Sequence, residues 1–155
     1  MAESVWDYPR PPRIEPSPKR VRVAFGDTLV VDTSRAVRVL EKRLAPSYYV
    51  PPEDVEPRVL EWEGGRTTFC EWKGTAAYFD VVAPDGRRLP RAAWTYPEPL
   101  PEFESIRNWI AFYPHELECT VDGERALPQE GGFYGGWITS EVDGPFKGGP
   151  GSAGW

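Results

Sequence analysis

Short runs of alternating apolar and polar residues, each ended by glycine or proline, dominate the middle of the chain. Val21–Phe25 alternates with a period of two and is followed by a Gly26-Asp27 turn, which is typical of a strand entering a hairpin. Gly64 and Gly65 are predicted to form another hairpin turn. Further strands are predicted over 28–31, 48–50, 59–62, 67–72, 78–82, 92–96, 110–113 and 117–121. The pattern therefore predicts a mainly β fold with many turns.

Two segments show helical rather than strand spacing. Val37, Leu40 and Leu44 recur at three- and four-residue intervals, which predicts a helix over 34–43. A second short helix is predicted over 102–108, after a proline-rich loop. The expected fold class is therefore mainly β with one or two short helices.

The distribution of proline, glycine and aromatic residues divides the chain into three parts. Residues 1–19 hold five prolines and are predicted to be an extended arm that joins neither a helix nor a sheet. Residues 20–127 hold the predicted strands and form one domain. Residues 128–155 are rich in glycine and large rings, which predicts a tail that packs on the domain or on a partner. A homodimer held together by this tail is one alternative.

Charge and composition exclude several classes of protein. The formal net charge is −6, whereas nucleic-acid binders usually present a basic surface, so no nucleic-acid partner is expected. No apolar run approaches the length of about 18 residues that a membrane span needs, and the first residues lack a secretory signal pattern. The sequence therefore predicts a cytoplasmic protein with no membrane partner.

Cysteine and histidine are too scarce for the common zinc sites. Cys70 and Cys119 are the only cysteines and His115 is the only histidine. Neither four cysteines nor two cysteines with two histidines can be assembled from them. The sequence also holds no phosphate-binding glycine loop and no dinucleotide fingerprint. We therefore expect no metal and no cofactor.

Aromatic residues are 14% of the chain, and several are predicted to share strand faces. Trp94 and Tyr96 are two residues apart on one strand, as are Cys70 and Trp72 on another, so each pair faces one side. If these strands are neighbours, their rings wall a cleft that also includes Tyr78. Such a cleft suits planar, cationic or apolar ligands, although the same rings would also build an ordinary core.

Cys70 and Lys73 lie three residues apart at the end of a predicted strand. A nearby cation lowers the pKa of a thiol, so Cys70 is either a nucleophile activated by Lys73 or a buried core residue. The two side chains face opposite ways on a straight strand, and only a bend near Gly74 brings them together. Lys73 itself is either a solvated turn residue or a group that holds an anion or moves a proton.

Two further residues complete the candidate catalytic set. Tyr48 and Tyr49 point to opposite faces of their strand, so we expect one in the core and the other in the lining of a pocket. Asp54 follows a Pro-Pro pair and has two interpretations. It either caps that turn, or it serves as a general base or an orienting group for Lys73 or a tyrosine hydroxyl.

Four stretches, taken in order, resemble the family known as domain of unknown function 427. They are 48–51 with Asp54 and Val55, 68–70 with Lys73, Gly74 and Tyr78, 93–96, and 110–113. The resemblance spans about residues 20–124, and Glu71 stands where the family usually has a proline. The tail over 131–155 is similar to that of actinobacterial members, which implies a bacterial source.

The resemblance implies a β-tent fold, similar to that of B-type methionine sulfoxide reductases and of the thalidomide-binding domain of cereblon. Many of those relatives hold zinc through two cysteine pairs that this chain lacks. The family is sometimes labelled nucleotidyltransferase-like, but the sequence has no paired metal-binding carboxylates beside a glycine-serine motif. The family-motif positions carried over are Tyr49, Asp54, Cys70, Lys73 and Trp94.

Two functions are compatible with the sequence. The first is a small-molecule binding domain with an aromatic-lined cleft. Its candidate ligand-binding residues are Trp72, Tyr78, Trp94 and Tyr96. The alternative is a small enzyme that uses acid–base or nucleophilic chemistry. Its candidate catalytic residues are Cys70, Lys73, Asp54 and Tyr49.

Overall fold

The structure, a computed structural model, describes residues 2–70, 73–130 and 134–148, apart from the side chains of residues 65, 66 and 70. Within these residues the strands, numbered in chain order, form two larger antiparallel sheets and two short pairs. From edge to edge, the seven-stranded sheet consists of β2 (Arg13–Pro16), β5 (Val37–Leu40), β6 (Ser47–Val50), β10 (Ile110–Phe112), β9 (Arg88–Thr95), β8 (Gly74–Val82) and β7 (Leu60–Cys70). The four-stranded sheet consists of β12 (Glu124–Arg125), β11 (Glu118–Val121), β3 (Val21–Phe25) and β4 (Thr28–Thr33). The short pairs join β1 (Glu3–Ser4) to β15 (Val142–Asp143) and β13 (Leu127–Pro128) to β14 (Trp137–Ile138).

The helices of the described residues are short 3₁₀ turns, over Val5–Asp7, Pro52–Asp54, Pro57–Val59 and Pro101–Ile106. None of them is long and apolar enough to cross a membrane. The last of them corresponds to the helix predicted over 102–108. The predicted mainly β fold with short helices is therefore confirmed.

The main core lies between the two larger sheets. Val21 and Cys119 from the small sheet pack with Tyr48 and Phe112 from the large one, and all four side chains are buried. Trp137, only 1% exposed, adds a ring from the C-terminal part of the chain. Since buried apolar area stabilises a fold by about 25 cal/mol per Å², this shared core fixes the two sheets against each other.

A second cluster of buried residues covers the opposite face of the large sheet. Tyr49, Trp94 and Ala111 belong to it, whereas their chain neighbours Tyr48 and Phe112 belong to the main core. This division follows from the two-residue period of a strand, which sends successive side chains to opposite faces. Tyr48 and Tyr49 therefore lie on opposite faces, as predicted.

The helix predicted over 34–43 is wrong. Val37–Leu40 is strand β5, and it pairs with β2 on one side and with β6 on the other. The spacing of Val37 and Leu40 fits a helix, but β-branched Val37 and Val39 also suit a strand. Pairing with two neighbouring strands satisfies the backbone of this segment, and that tertiary context overrides the local spacing.

The proline-rich arm also joins a sheet, contrary to the prediction. Arg13–Pro16 forms strand β2 and pairs with β5, with Pro16 opposite Val37. Proline is tolerated there because β2 is an edge strand, so the missing N–H faces no further strand.

The hairpin turn predicted at Gly64 and Gly65 is wrong as well. Leu60–Cys70 is one continuous edge strand that pairs along its length with β8. The pairing register shifts between Glu63 and Thr67, which marks a bulge instead of a turn. Residues 60–62 and 67–70 of the two predicted strands therefore belong to one strand.

The described parts of the glycine-rich tail, residues 128–130 and 134–148, pack on the domain. The Trp137 ring stacks on Tyr48 with centroids 4.8 Å apart, and its Nε1 donates to the Phe112 carbonyl at 2.9 Å. Strand β15 pairs with β1, so this segment also contacts the N-terminal arm. A homodimer through the tail stays a prediction.

Candidate functional site

A cleft of about 630 Å³ opens over the second cluster, and we call it the aromatic cleft. Its lining combines tyrosine and tryptophan rings with a few charged groups. The lining residues are Glu41, Leu44, Ser47, Tyr49, Thr68, Phe69, Lys73, Ala76, Tyr78, Trp94, Tyr96, Tyr113, Tyr134, Gly135 and Lys147. Of the predicted site residues, Tyr49, Lys73, Tyr78, Trp94 and Tyr96 are thus brought together.

The floor of the aromatic cleft is one row of cross-strand neighbours. In register, Tyr49 lies opposite Ala111, Ala111 opposite Trp94, and Trp94 opposite Tyr78. Directly opposed residues on one sheet face are close enough to contact each other. The small Ala111 lies between these two large side chains and lets them meet, and Trp94 Nε1 donates to Tyr49 Oη at 3.0 Å.

The rings around this row are held by mutual contacts. The Tyr49 and Trp94 rings meet edge to face with centroids 6.0 Å apart, and Tyr96 lies 6.4 Å from Tyr49. Tyr113 packs 4.6 Å from Trp94, and Thr68 Oγ1 and Tyr78 Oη are 2.7 Å apart. Aromatic pairs at such distances are attractive, so the walls of the cleft are largely preformed.

The strand arrangement differs from the one expected for these rings. Strand β9, which carries Trp94 and ends one residue before Tyr96, is not adjacent to the strand that ends at Cys70, because β8 lies between them. Tyr78 and Ala76 of β8 therefore form the centre of this side, and β7 contributes Thr68 and the exposed rim residue Phe69.

Lys73 enters the aromatic cleft from the turn between β7 and β8. Its side chain is only 12% exposed, and its Nζ lies 3.8 Å from Glu41 Oε1 and 6.0 Å from the centroid of the Tyr96 ring. Its carbonyl accepts a hydrogen bond from the Leu100 N–H at 2.9 Å, which holds the turn in place. The lysine is thus a nearly buried cation beside a ring, with Glu41 as its counter-charge.

Asp54 is not brought to the aromatic cleft. Its carboxylate accepts hydrogen bonds from Thr33 Oγ1 at 2.6 Å and from Arg35 Nη2 at 2.9 Å. The Arg35 guanidinium, and then the Thr33 hydroxyl, hold the pKa of Asp54 below its usual value. The partner of Lys73 is Glu41, so the structure does not support Asp54 as its orienting group or as a base in this cleft.

The remaining predicted site residues cannot be placed. The backbone of Cys70 pairs with Gly74 at the end of β7, but its thiol lies outside the described residues, as does all of Trp72. The other thiol, Cys119, is free and fully buried, and burial raises its pKa well above the usual value. Cys119 is therefore an unreactive core residue.

Tyr113 is a cleft residue that the sequence analysis missed, although its strand was predicted. Burial, and then the adjacent Tyr78 hydroxyl, raise the pKa of Tyr113 above its usual value. Its hydroxyl therefore stays protonated at neutral pH and can donate or accept a hydrogen bond. The sequence feature that could have indicated a cleft residue is the position of Tyr113 at the end of a strand, next to a proline.

The C-terminal segment supplies a wall that no local pattern indicated. Gly135 lies directly against Trp94, because a Cβ at this position would fall 2.1 Å from Trp94 Cη2. Tyr134 and Lys147 complete this wall, with Lys147 Nζ 5.9 Å from the centroid of the Tyr134 ring. Gly148 has a φ of +109°, which favours glycine, so at least two glycines of the tail are required by its packing.

Among the residues that the structure describes, the charged groups of the aromatic cleft leave an excess of positive charge. Glu41 is the one acidic residue of this described lining and already faces both Lys73 and Arg10, whose Nε is 3.7 Å away. Lys147 forms no ion pair with any residue that the structure describes. In the part of the chain that the structure describes, no group of three or more histidine, cysteine or acidic side chains is arranged to hold a metal. The site thus offers rings, hydroxyls and ammonium groups.

Comparison with protein families gives a match over most of the chain. The sequence model of a family described as a domain of unknown function (DUF427) matches residues 13–123. No curated protein matches the chain. The matched region includes Tyr49, Lys73 and Trp94, whereas Tyr134 and Lys147 lie beyond its end.

Proposed function

The chain belongs to the family described as a domain of unknown function (DUF427), and we propose that it binds a small organic molecule in the aromatic cleft. The observation that carries this proposal is the row of Tyr49, Trp94 and Tyr78 on one face of the large sheet, where all three rings line the aromatic cleft. Small-molecule sites are typically concave, about 300–1,000 Å³ in volume, and lined mainly by apolar and aromatic groups. At about 630 Å³ the aromatic cleft falls within that range.

The rings favour a planar ligand body. A flat molecule in the aromatic cleft can contact Tyr49, Trp94 and Tyr78 together, because all three rings line it. Such contacts contribute about 0.5–1.5 kcal/mol per aromatic pair beyond the burial of apolar area. Because Trp94 and Tyr49 already hydrogen-bond to each other, the ligand does not have to order them on binding.

The charges favour an acidic group on the ligand. Lys147 carries a positive charge with no described counter-charge, and Lys73 shares its partner Glu41 with Arg10. The whole chain has a net charge of −6, so this excess of positive charge is local to the cleft. A carboxylate or sulfonate that binds there gains attraction in a partly desolvated site.

The enzyme alternative has less support. Asp54 lies elsewhere, and the Tyr49 hydroxyl accepts a hydrogen bond from Trp94. Of the predicted catalytic residues, Lys73 and Tyr49 are the ones whose described side chains line the cleft. Catalysis by Cys70 with Lys73, a cytoplasmic location and a bacterial source stay predictions of the sequence.

Two dyes of the same shape test the proposal. N-phenylnaphthylamine is neutral, and anilinonaphthalene sulfonate adds one negative charge to the same ring system. We expect both to bind with a fluorescence increase and the sulfonate to bind more tightly. Trp94→Ala should weaken both by about tenfold or more, because a buried ring contributes at least about 1.5 kcal/mol. Lys147→Gln should weaken only the sulfonate, by about fivefold, as expected for a partly exposed charge pair worth about 1 kcal/mol.

Trp62→Ala is the matched control for loss of a tryptophan. Trp62 is 61% exposed, stacks on Phe79 on the edge of the sheet, and does not line the aromatic cleft. We expect both dyes to bind this variant as they bind the original protein. If Trp62→Ala abolishes dye binding while Trp94→Ala leaves it intact, the cleft is not the binding site and the proposal is wrong.

A further inference from the structure

A second cavity, of about 390 Å³, shares Tyr78 and Tyr113 with the aromatic cleft. We call it the basic cavity, because its lining includes two arginines and the only histidine of the chain. Arg88, Arg91 and His115 are these groups, and Glu116 is the one acidic residue in the described part of the lining. The apolar part of the lining comes from Leu89, Pro90, Ala92 and Leu117.

Arg91 is placed in the basic cavity by an irregularity of the sheet. The β8–β9 register shifts between Phe79 and Val81, and Arg91 opposite this shift has a φ of +49°. Positive φ is uncommon for a residue other than glycine. The conformation is held because the Arg91 N–H donates to Asp80 Oδ1 at 2.9 Å. Bulges of this kind redirect a side chain and are frequent beside binding sites.

The Arg91 guanidinium retains hydrogen-bonding capacity. It lies 4.2 Å above the centroid of the Tyr78 ring, and no described residue accepts a hydrogen bond from it. Glu63 Oε2 is 3.9 Å from its Nε, which is ion-pair range but too long for a hydrogen bond. Arg88 differs, because Asp80 at 2.7 Å and Glu61 at 3.1 Å already accept from it.

We propose that the basic cavity binds a small organic carboxylate, with its two oxygens on Arg91 and its apolar body against Leu89, Pro90 and Leu117. A guanidinium presents parallel N–H groups that match the two oxygens of a carboxylate. The Arg91 guanidinium packs on the flat ring of Tyr78, and this contact restricts the orientation of the guanidinium plane. This site is separate from the aromatic cleft and does not depend on the function proposed for it.

The single histidine makes the test direct. His115 is the only histidine of the chain, so the imidazole signals in a proton NMR spectrum come from this residue alone. Its ring lies 6.1 Å from the ring of Tyr113, which lines the same cavity. Benzoate and benzamide have the same shape, but only benzoate carries a charge. At constant pH we expect benzoate to shift the His115 signals saturably and benzamide to require at least a tenfold higher concentration.

Three variants separate the two cavities. Arg91→Gln should weaken the benzoate response at least tenfold. Lys147→Gln, in the aromatic cleft, and Arg107→Gln, which removes an arginine that lines neither cavity, should leave it unchanged. The proposal is overturned if benzoate leaves the His115 signals unmoved, if benzamide is equally effective, or if Lys147→Gln weakens the response while Arg91→Gln does not.

Discussion

Gly135→Ala tests whether the C-terminal segment is a fixed wall of the aromatic cleft. A Cβ on this residue would fall 2.1 Å from Cη2 and 2.6 Å from Cζ3 of Trp94. Carbon atoms in contact are normally about 3.5–4.0 Å apart, so the ring or the segment must move by about 1.5 Å. Trp94 cannot turn away freely, because its Nε1 donates to Tyr49 Oη and its ring packs on Tyr113.

The expected loss of stability of Gly135→Ala follows from this displacement of about 1.5 Å. Overpacking a well-filled site usually costs about 1–3 kcal/mol. For a chain of 155 residues, each 1 kcal/mol of destabilisation lowers Tm by about 2–4 °C. We therefore expect Gly135→Ala to lower Tm by about 2–10 °C in a thermal unfolding experiment. Its affinity for anilinonaphthalene sulfonate should fall as well, because the same displacement moves one wall of the cleft.

Gly64→Ala supplies the matched control. A Cβ at Gly64 has no atom within 4 Å, although this residue also lies in a glycine-rich part of the chain. Replacing a glycine whose backbone any residue can adopt typically stabilises a protein by about 0.4–1 kcal/mol. We expect Tm of this variant to be unchanged or slightly higher, with unchanged dye binding.

A second substitution identifies the clash as the cause. The three atoms of Trp94 nearest to the added Cβ all belong to the six-membered part of the indole, and phenylalanine has a shorter side chain. Trp94→Phe should therefore reduce the cost of Gly135→Ala, with a coupling of about 1 kcal/mol or more in a double-mutant cycle. Equal stability of Gly135→Ala and Gly64→Ala, or simple additivity with Trp94→Phe, would refute the reasoning.

Three other outcomes follow from the structure. Trp137→Ala should cost about 3–5 kcal/mol in urea unfolding, since its buried ring stacks on Tyr48, and a cost below about 1 kcal/mol would contradict its core position. Asp54→Asn should lower stability at pH 7 but not near pH 2. The lowered pKa of Asp54, set mainly by Arg35, gives stability that is present above the unfolded pKa and lost as pH falls through the folded one. Cys119 should resist a thiol reagent at pH 8 until urea unfolds the protein, and rapid labelling of the folded variant Cys70→Ser would disprove its burial.

Local pattern was sufficient for most strands but not for the element around Val37. Period-two alternation reports directly on a strand with one buried face, so the strands around Tyr49 and Trp94 were predictable. The segment 34–43 carries apolar residues at intervals that fit either element. Pairing with the flanking strands β2 and β6 makes this segment a strand. The local sequence gives no information about that pairing.

Glycine pairs gave a similarly ambiguous signal. Gly64-Gly65 indicates that the chain departs from regular pairing, and both a turn and a bulge do so. The structure has a bulge, because Thr67 continues along the same partner strand as Glu63. The glycine pair therefore predicts where regular strand pairing is interrupted, but not whether the chain then turns back or continues in the same direction.

The candidate site was predictable where it depends on strand faces and not where it depends on distant contacts. Trp94 and Tyr96 share a face by parity, and their grouping in the cleft follows from that. Lys73 and Glu41 are 32 residues apart in the sequence, so no local pattern predicts that they form an ion pair. Asp54 was assigned to the wrong partner for the same reason, because its nearest cation, Arg35, is set by the fold.

The aromatic cleft is built from two parts of the chain with different constraints. Its floor of Tyr49, Trp94 and Tyr78 lies within the family match over 13–123, and each of these residues is tied to the sheet by register. Its outer wall, which includes Lys147, comes from beyond that match. A change at Lys147 leaves the register of the large sheet intact, whereas a change at Trp94 disturbs a buried hydrogen bond and two ring contacts. If the cleft binds the proposed ligand, substitutions in the tail can therefore change the preferred ligand charge while the floor of rings stays the same.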